Sequence, residues 1–271
     1  MKVLPQIGPQ HPQIRQVRHA IGNGTRGHRQ LLVAEGLWAH EVLVDLDAAI
    51  DVFLWCPEAA CSPGARAVGA QVAARAKSAY RISPRVLDRL CERERPEGMV
   101  SLVALPAWDA DRIDLQAEAL VLVADAIEIP GNLGSLLRTL DACGADCLII
   151  TNRRTRLSHP KVFRGSRGMN LRVPVIEFGD PAGAARWLRD RGFAVFLATV
   201  SADATPYQQA TFGPRTAIVV GNERTGITPA WFGHATGQVT IPMRGRADSL
   251  NVAVSASILM YGIRERRSAR P

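Results

Sequence analysis

A buried strand and the helix that follows it can be recognised in residues 119–140. Ala119-Leu120-Val121-Leu122-Val123-Ala124 is a continuous apolar run, and Pro130-Gly131-Asn132-Leu133-Gly134-Ser135-Leu136-Leu137-Arg138 opens the helix. Leucines at 133, 136, 137 and 140 recur at helical spacing and predict one core-facing stripe, which leaves Arg138 off it. Three more apolar runs repeat the strand signal, at 147–150, 194–198 and 217–220. Such strands alternating with helices predict an α/β domain with a parallel sheet covered on both faces, of the doubly wound kind.

The residues before this domain predict a smaller α/β unit. Ile14, Val17 and Ile21 have helical spacing, a second helix is predicted over 37–49, and short strands are predicted at 31–34, 51–55, 79–82 and 99–105. Residues 106–116 are polar and contain proline. We therefore expect one domain at 1–106, a linker at 107–118 and a second domain at 119–271.

The composition is that of a soluble globular protein, and we expect a cytoplasmic location from the N-terminus. Hydrophobic residues make up 47% of the chain, and no apolar run approaches the roughly 20 residues that a bilayer span needs. Met1-Lys2-Val3-Leu4-Pro5-Gln6 lacks the apolar core of a secretory signal. The five cysteines form no C-x-x-C pair, so we expect neither a metal site nor a disulfide. We expect no membrane partner.

Positive charge is concentrated in three places. Lysine and arginine outnumber aspartate and glutamate by 33 to 25, a net charge of +8. No acid precedes Glu35, none lies between Cys147 and Ile176, and the C-terminal tail carries a third arginine cluster. Clustered cations of this kind indicate a polyphosphate partner, which favours a nucleic acid. The alternative is an arginine-rich coding bias, which would produce a solvated basic surface.

Three polar segments directly follow apolar, strand-like runs. They are Pro130 to Arg138, Ile218-Val219-Val220-Gly221-Asn222-Glu223-Arg224-Thr225-Gly226-Ile227, and Ile241-Pro242-Met243-Arg244-Gly245-Arg246-Ala247-Asp248-Ser249-Leu250-Asn251. The carboxyl ends of parallel strands are where α/β proteins build ligand sites, so the segments suggest one composite pocket.

Taken singly, each segment also has an ordinary structural interpretation. The second is a strand-to-turn exit, and the third leads from a short strand ending at Ile241-Pro242-Met243 into a helix with Asp248 or Ser249 as its N-cap. The spacing of Gly131 and Gly134 is not G-x-G-x-x-G, which argues against a dinucleotide-binding enzyme.

Together, the three segments resemble the signature of the SpoU/TrmH family. The matching residues are Asn132-x-Gly134-x-x-x-Arg138, Gly221-Asn222-Glu223-x-x-Gly226, and Ile241-Pro242-Met243 with Ser249-Leu250-Asn251. The resemblance implies an RNA ribose 2′-O-methyltransferase that uses S-adenosylmethionine. It also implies a trefoil-knotted C-terminal α/β domain that forms homodimers. The first domain resembles the ribosomal-protein-like RNA-binding domain that often precedes this fold.

The resemblance assigns roles to residues of this chain. Those implied to bind the cofactor are Gly221, Asn222, Glu223, Gly226, Ile241, Pro242, Met243, Ser249, Leu250 and Asn251. Those implied to act in catalysis are Asn132, Arg138, Ser249 and Asn251. The family treats the arginine as the base, yet a guanidinium is essentially always protonated. Our hypothesis is therefore that Arg138 holds the adjacent phosphate and stabilises the developing alkoxide, oriented by Ser249 and Asn251.

One local feature points to a particular branch of the family. Arg167 stands between Ser166 and Gly168, where the family usually has a small residue, and this resembles the thiostrepton-resistance branch that acts on 23S ribosomal RNA. Six arginines are our candidates for RNA contacts: Arg15, Arg18, Arg26, Arg29, Arg164 and Arg167.

We therefore expect 2′-O-methylation of a ribose in RNA, with 23S ribosomal RNA as the substrate. Two alternatives stay open at this point. One is a transfer-RNA substrate, and the other is a non-catalytic RNA-binding or assembly factor on the same scaffold.

Overall fold

The computed structural model describes residues 3–23, 25–26, 29–91 and 97–268. The chain divides into two compact units, Met1–Ala107 with Leu157–Arg164, and Trp108–Arg156 with Gly165–Pro271. The expected linker contains no helix or strand, and its Ala110, Ile113 and Leu115 pack against the core of the second unit.

The first unit is a mixed sheet with helices. Its strands are β1 (Thr25–Arg26), β2 (Arg29–Glu35), β3 (Ile50–Trp55), β4 (Ser78–Arg81) and β5 (Met99–Ala104), and its helices are α1 (Pro12–Asn23), α2 (Gly36–Asp45), α3 (Pro63–Arg75) and α4 (Pro84–Asp88), with a 3₁₀ turn at Pro57–Ala59. The strand order is β1-β2-β5-β3-β4, in which only β3 and β4 pair in parallel.

The apolar spacing of α1 correctly predicts its buried face, since Ile14 and Val17 are fully buried in the core of this unit. The predicted helix over 37–49 is too long. It ends at Asp45 because Asp47 adopts a left-handed conformation (φ 49°). The backbone N–H groups of Asp47 and Ala48 then donate to Val44 and Leu43, which closes the helix in a Schellman arrangement.

The second unit contains a seven-stranded sheet in which every pairing is parallel. Its strands are β6 (Leu120–Asp125), β7 (Cys147–Thr151), β8 (Val175–Phe178), β9 (Ala194–Ala198), β10 (Thr205–Pro206), β11 (Thr216–Val220) and β12 (Gly237–Thr240). Its helices are α5 (Pro130–Ala142), α6 (Pro160–Ser166), α7 (Pro181–Asp190) and α8 (Val252–Ser268), with 3₁₀ turns at Met169–Leu171 and Pro229–His234. The first residues of α6 belong to the first unit.

The strand order, β10-β12-β9-β11-β6-β7-β8, confirms the predicted parallel α/β sheet. The chain builds β6, β7 and β8 outward in one direction and then returns, and β11 lies between β6 and β9. Strand order therefore reverses beside β6, and a reversal of this kind opens a crevice at the carboxyl ends of the strands.

Helices cover the sheet in the pattern that its sequence predicts. Val121 and Val123 share a core cluster with Trp187 and Leu188 of α7 and with Trp231. Leu120 and Leu122 alternate with them and face the opposite side, where α5 and α8 pack against each other.

The C-terminal arginines are engaged inside the protein. Arg264 donates to the backbone carbonyls of Cys143, Gly144 and Glu118, and Arg267, which is 8% exposed, donates to Glu118, Ala119 and Gly213. Arg266 donates to Ala210 and lies over the Phe212 ring. These bonds hold α8 at the amino ends of β6 and β11, so the basic cluster of the C-terminal tail has a structural role. Arg270 lies outside the described residues.

None of the five cysteines, all of which the structure describes, forms a disulfide. Burial in β7 raises the pKa of Cys147 to about 12, which keeps that thiol protonated. Among the described residues, no group of three or more His, Cys, Asp or Glu side chains is placed to hold a metal ion. None of the described helices combines the length and the apolar character needed to cross a bilayer.

Candidate functional site

The structure brings the three polar segments together through a chain of side-chain hydrogen bonds. Asn132, in the first turn of α5, donates its amide to Glu223, with Nδ2 2.7 Å from Oε1. Asn251, directly before α8, donates its own amide to Asn132, with Nδ2 3.1 Å from Oδ1. Glu223 also accepts the backbone N–H of Glu128 at 3.5 Å. One residue of each segment therefore belongs to a single polar network.

The loop after β11 is a tight, internally bonded turn. Asn222 is 8% exposed; its Oδ1 accepts the backbone N–H groups of Arg224 and Thr225, and its Nδ2 donates to the carbonyl of Ala126 at 2.9 Å. Backbone bonds in both directions join Asn222 to Gly226, whose φ of 72° suits glycine. A Cβ on Gly221 would lie 2.3 Å from the backbone of Gly226 and Ile227, so only glycine fits there.

Asp125, at the end of β6, ties this loop to the neighbouring strand. Its carboxylate is fully buried and accepts bonds from the Thr151 hydroxyl, the Asn152 amide and the backbone N–H of Thr228, each at 2.8 Å. Asp125 was not among the site residues predicted from the sequence. The available signal was an acidic residue at the last position of an otherwise apolar strand.

A cavity of about 760 Å³ opens at the carboxyl ends of β9, β11 and β12. Its apolar wall includes Val220, Ile241 and Leu259, and its polar groups include Thr199 and Gln238. This size and mixture are typical of a small-molecule pocket. Of the residues expected to bind the cofactor, Gly221, Asn222, Glu223, Gly226, Ile241, Met243, Ser249, Leu250 and Asn251 line the cavity. Pro242 is half-buried between two lining residues but is not itself part of the wall.

The third segment is arranged differently from the prediction. The strand before it, β12, ends at Thr240, so Ile241, Pro242 and Met243 already belong to the loop. The expected caps Asp248 and Ser249 are wrong, because α8 begins at Val252 and Asn251 Oδ1 accepts the Ala253 N–H at 3.0 Å. The Ser249 hydroxyl instead donates to Asp248, and both residues are exposed.

Arg138 stands apart from the network. It lies on the exposed face of α5, as its position off the leucine stripe predicts, and it is not among the residues that line the cavity. Its guanidinium forms no hydrogen bond or ion pair with the part of the chain that the structure describes, so neither Ser249 nor Asn251 orients it in a single chain.

Five of the six arginines proposed to contact RNA are exposed. Arg15 and Arg18 are exposed on α1, Arg164 is exposed on α6, and Arg167 is exposed just after α6 with a left-handed φ of 57°. Arg29 is exposed and lies 3.8 Å from the Asp51 carboxylate, so part of its charge is balanced. The side chain of Arg26 lies outside the described residues.

Known proteins resemble this chain in sequence and in fold. Residues 119–261 match the model of the SpoU rRNA Methylase family. The chain is 33% identical over 195 residues to a 23S rRNA (uridine(2479)-2′-O)-methyltransferase of Streptomyces viridochromogenes, covering 70% of this chain and 68% of that protein. It is 30% identical over 185 residues to the 23S rRNA (guanosine(2553)-2′-O)-methyltransferase RlmP of Bacillus subtilis, covering 68% and 72%.

A solved structure matches both units. The SpoU methyltransferase AviRb from Streptomyces viridochromogenes, in complex with the cofactor AdoMet (S-adenosylmethionine), superposes with a TM-score of 0.82 at 26% identity. That match covers 97% of this chain and 100% of AviRb.

Proposed function

This chain belongs to the SpoU rRNA methylase family, and from that premise we propose that its substrate is 23S ribosomal RNA. It is an RNA ribose 2′-O-methyltransferase that uses S-adenosylmethionine. The substrate proposal rests on how much of the chain is similar to known methyltransferases. Both relatives described above are named for 2′-O-methylation of 23S rRNA, and the AviRb match extends over the first unit as well as the methylase unit. A 23S rRNA substrate also implies a cytoplasmic location.

We propose that the cavity at the ends of β9, β11 and β12 holds the cofactor. The fit rests on its volume and on its lining, which combines apolar side chains for an adenine ring with polar groups for the ribose and the amino-acid part. Gly221 to Glu223, Ile241, Met243 and Leu250 would form the walls, with Pro242 shaping the loop behind them. When bound, S-adenosylmethionine supplies an activated methyl group.

We also propose roles for the chain's own residues. A neutral ribose 2′-hydroxyl is a weak nucleophile, so its developing negative charge needs stabilisation. We propose that the Arg138 guanidinium, which stays protonated, holds the adjacent phosphate and stabilises the oxyanion, while the hydroxyl proton passes to that phosphate. The bonds from Asn132 to Glu223 and from Asn251 to Asn132 would fix the polar edge of the cavity.

We propose a homodimer formed through the second unit. Val254 and Tyr261 on α8 are 47% and 43% exposed and lie on one side of the helix with Ile258, which gives α8 an exposed apolar stripe. Arg138 lies outside the cavity lining of its own chain. A site completed by a second subunit would explain both features.

We propose that the first unit binds the RNA substrate through Arg15, Arg18, Arg26 and Arg29, with Arg164 and Arg167 contacting phosphate. We also propose the trefoil knot of the family for the second unit. The position of β11 between β6 and β9, strands that the chain completes earlier, supports such threading.

Methyl transfer to competing RNAs tests the proposed substrate. Purified protein with radiolabelled S-adenosylmethionine should methylate an unmodified 23S rRNA transcript, and not a mixture of unmodified tRNA transcripts, at a ribose 2′-oxygen. An Asn132→Ala variant serves as the control because it removes the amide that links the other two segments. Preferential methylation of tRNA would contradict the proposal.

A further inference from the structure

Three exposed arginines on two loops that border the cavity have no role in the site described above. Arg224 lines the cavity from the loop after β11. Arg244 and Arg246 belong to the loop between β12 and α8, in which residues 244–250 are all exposed. Met243 and Ser249, which flank that pair of arginines, both line the cavity. The three cations therefore lie on two different loops that both border the cavity.

These arginines are unengaged, unlike many others of the second unit. Ion pairs join Arg153 to Glu177, Arg172 to Asp141 and Arg191 to Asp111, and the arginines of α8 are bound to backbone carbonyls. Within residues 97–268, the guanidinium groups of Arg224, Arg244 and Arg246 form no hydrogen bond or ion pair. Exposed cations of this kind can bind an anion without first giving up an internal partner.

The acids of the same two loops are occupied by other groups. Glu223 accepts the Asn132 amide, and Asp248 accepts the Ser249 hydroxyl. Neither carboxylate pairs with the three arginines, so the positive charge of these loops is not cancelled by a direct contact.

We propose that Arg224, Arg244 and Arg246 form a phosphate clamp that holds the RNA backbone beside the target nucleotide. The inference rests on the proposed function, because a ribose presented to the cavity brings its own flanking phosphates close to the loops that border it. Guanidinium groups bind phosphate oxygens through paired hydrogen bonds, and such contacts fix the register of the nucleic acid without reading its sequence. The three arginines are thus positioning residues for the target ribose.

The salt dependence of RNA binding tests the clamp. The probe is a fluorescein-labelled, unmodified 23S rRNA transcript, and its affinity is measured over a series of salt concentrations. Each phosphate contact that is lost should reduce the slope of log K against log salt by about 0.7 to 0.9. We expect Arg244→Ala/Arg246→Ala to reduce it by about 1.4 to 1.8, and Arg224→Ala by about half as much.

A matched control removes the same charge elsewhere on the second unit. Arg186 and Arg189 are exposed on α7, which contributes no residue to the cavity lining. Arg186→Ala/Arg189→Ala should leave the slope as in the unchanged protein. Calorimetry with S-adenosylmethionine should give unchanged affinity for the Arg244→Ala/Arg246→Ala and Arg186→Ala/Arg189→Ala variants, because neither removes a residue that lines the cavity. The same measurement shows that the cavity is folded.

The outcomes separate this inference from the proposed function. An unchanged slope in the Arg244/Arg246 variant overturns the clamp, as does a slope loss of the same size in the Arg186/Arg189 control. Loss of cofactor affinity with an unchanged slope also overturns it, because the arginines would then serve the cofactor carboxylate. If the slope falls as expected but no 23S rRNA is methylated, the clamp stands and the proposed substrate fails. Absence of any RNA binding overturns both.

Discussion

At the scale of single residues, the site depends on a few side chains that bridge distant parts of the chain. Asn132, Glu223 and Asn251 are far apart in sequence and are joined by two hydrogen bonds. Arg138 is different, because it is exposed and makes no bond within the described chain. Its proposed role is therefore catalytic, with no part in holding the fold.

Replacing Arg138 should separate catalysis from cofactor binding. We expect Arg138→Ala to slow methyl transfer by about 10² to 10³, the usual cost of removing a group that stabilises a developing oxyanion. S-adenosylmethionine affinity and the melting temperature should not change, because the side chain lies outside the cavity lining. Arg138→Lys keeps the charge and should retain part of the rate. Full methyl transfer by the alanine variant would refute the assignment.

Gly221 offers a test of the cavity wall. A Cβ at this position would meet the backbone of Gly226 and Ile227 at 2.3 Å, so Gly221→Ala must displace the loop. We expect it to destabilise the protein by about 1 to 3 kcal/mol and to weaken cofactor binding, measured by thermal unfolding and calorimetry. Gly245→Ala is the matched control, since nothing lies within 4 Å of a Cβ there. If the two variants have the same stability and the same cofactor affinity, the tight turn does not shape the site.

At the scale of elements, the first unit contains a buried histidine that fixes a helix to the sheet. His40 on α2 is fully buried, its Nδ1–H donates to the carbonyl of Gly36, and its Nε2 accepts the hydroxyl of Ser101 on β5. Burial lowers the pKa of His40 from 6.5 to about 4, so the ring is neutral in the folded protein.

This histidine should make the stability of the protein depend on pH. The unfolded chain takes up a proton on His40 below about pH 6.5, whereas the folded chain does so only near pH 4, so stability falls as pH drops through that window. The loss is on the order of 3 kcal/mol. Urea unfolding at pH 7 and pH 4.5 measures it, with His40→Gln as the comparison because its side chain does not titrate. If the unchanged protein and the His40→Gln variant show the same pH dependence of stability, His40 is not its cause.

Most of the elements could be predicted from apolar patterning, and the exceptions have physical causes. Long apolar runs identified β6, β7, β9 and β11, which are buried on both sides. β8 and β10 were missed because only two residues of β8 are buried and β10 has only two residues. The start of α8 was misplaced because Asn251 caps the helix while also donating to Asn132, a contact that local sequence does not reveal.

The site could be predicted only from the three polar segments taken together. Each segment taken alone has an ordinary structural interpretation. The expectation of an RNA methyltransferase came from the three segments occurring together in this order. Patterning could not show that Asp125 ties β6 and β7 to the loop after β11, since all three of its partners come from later in the chain. It also could not show that the C-terminal arginines bind backbone carbonyls inside the protein.

At the scale of the whole molecule, the account requires two copies of the chain. We expect the protein to be a dimer by light scattering, and Val254→Glu/Tyr261→Glu to be a monomer, because charges on the exposed stripe of α8 would have to be buried. Val3→Glu, at a residue that is 92% exposed in the first unit, should remain dimeric. A monomeric unchanged protein, or a dimeric α8 variant, would contradict the proposed interface.

The central claim is that this chain methylates a ribose of 23S rRNA. The most direct test maps 2′-O-methylation across 23S rRNA from source cells that carry the gene, from cells that lack it, and from deleted cells complemented with either the unchanged gene or its Arg138→Ala form. The account predicts one 2′-O-methylated nucleotide that disappears on deletion, returns with the unchanged gene and does not return with the variant. Identical ribose methylation of 23S rRNA in all four strains would contradict it.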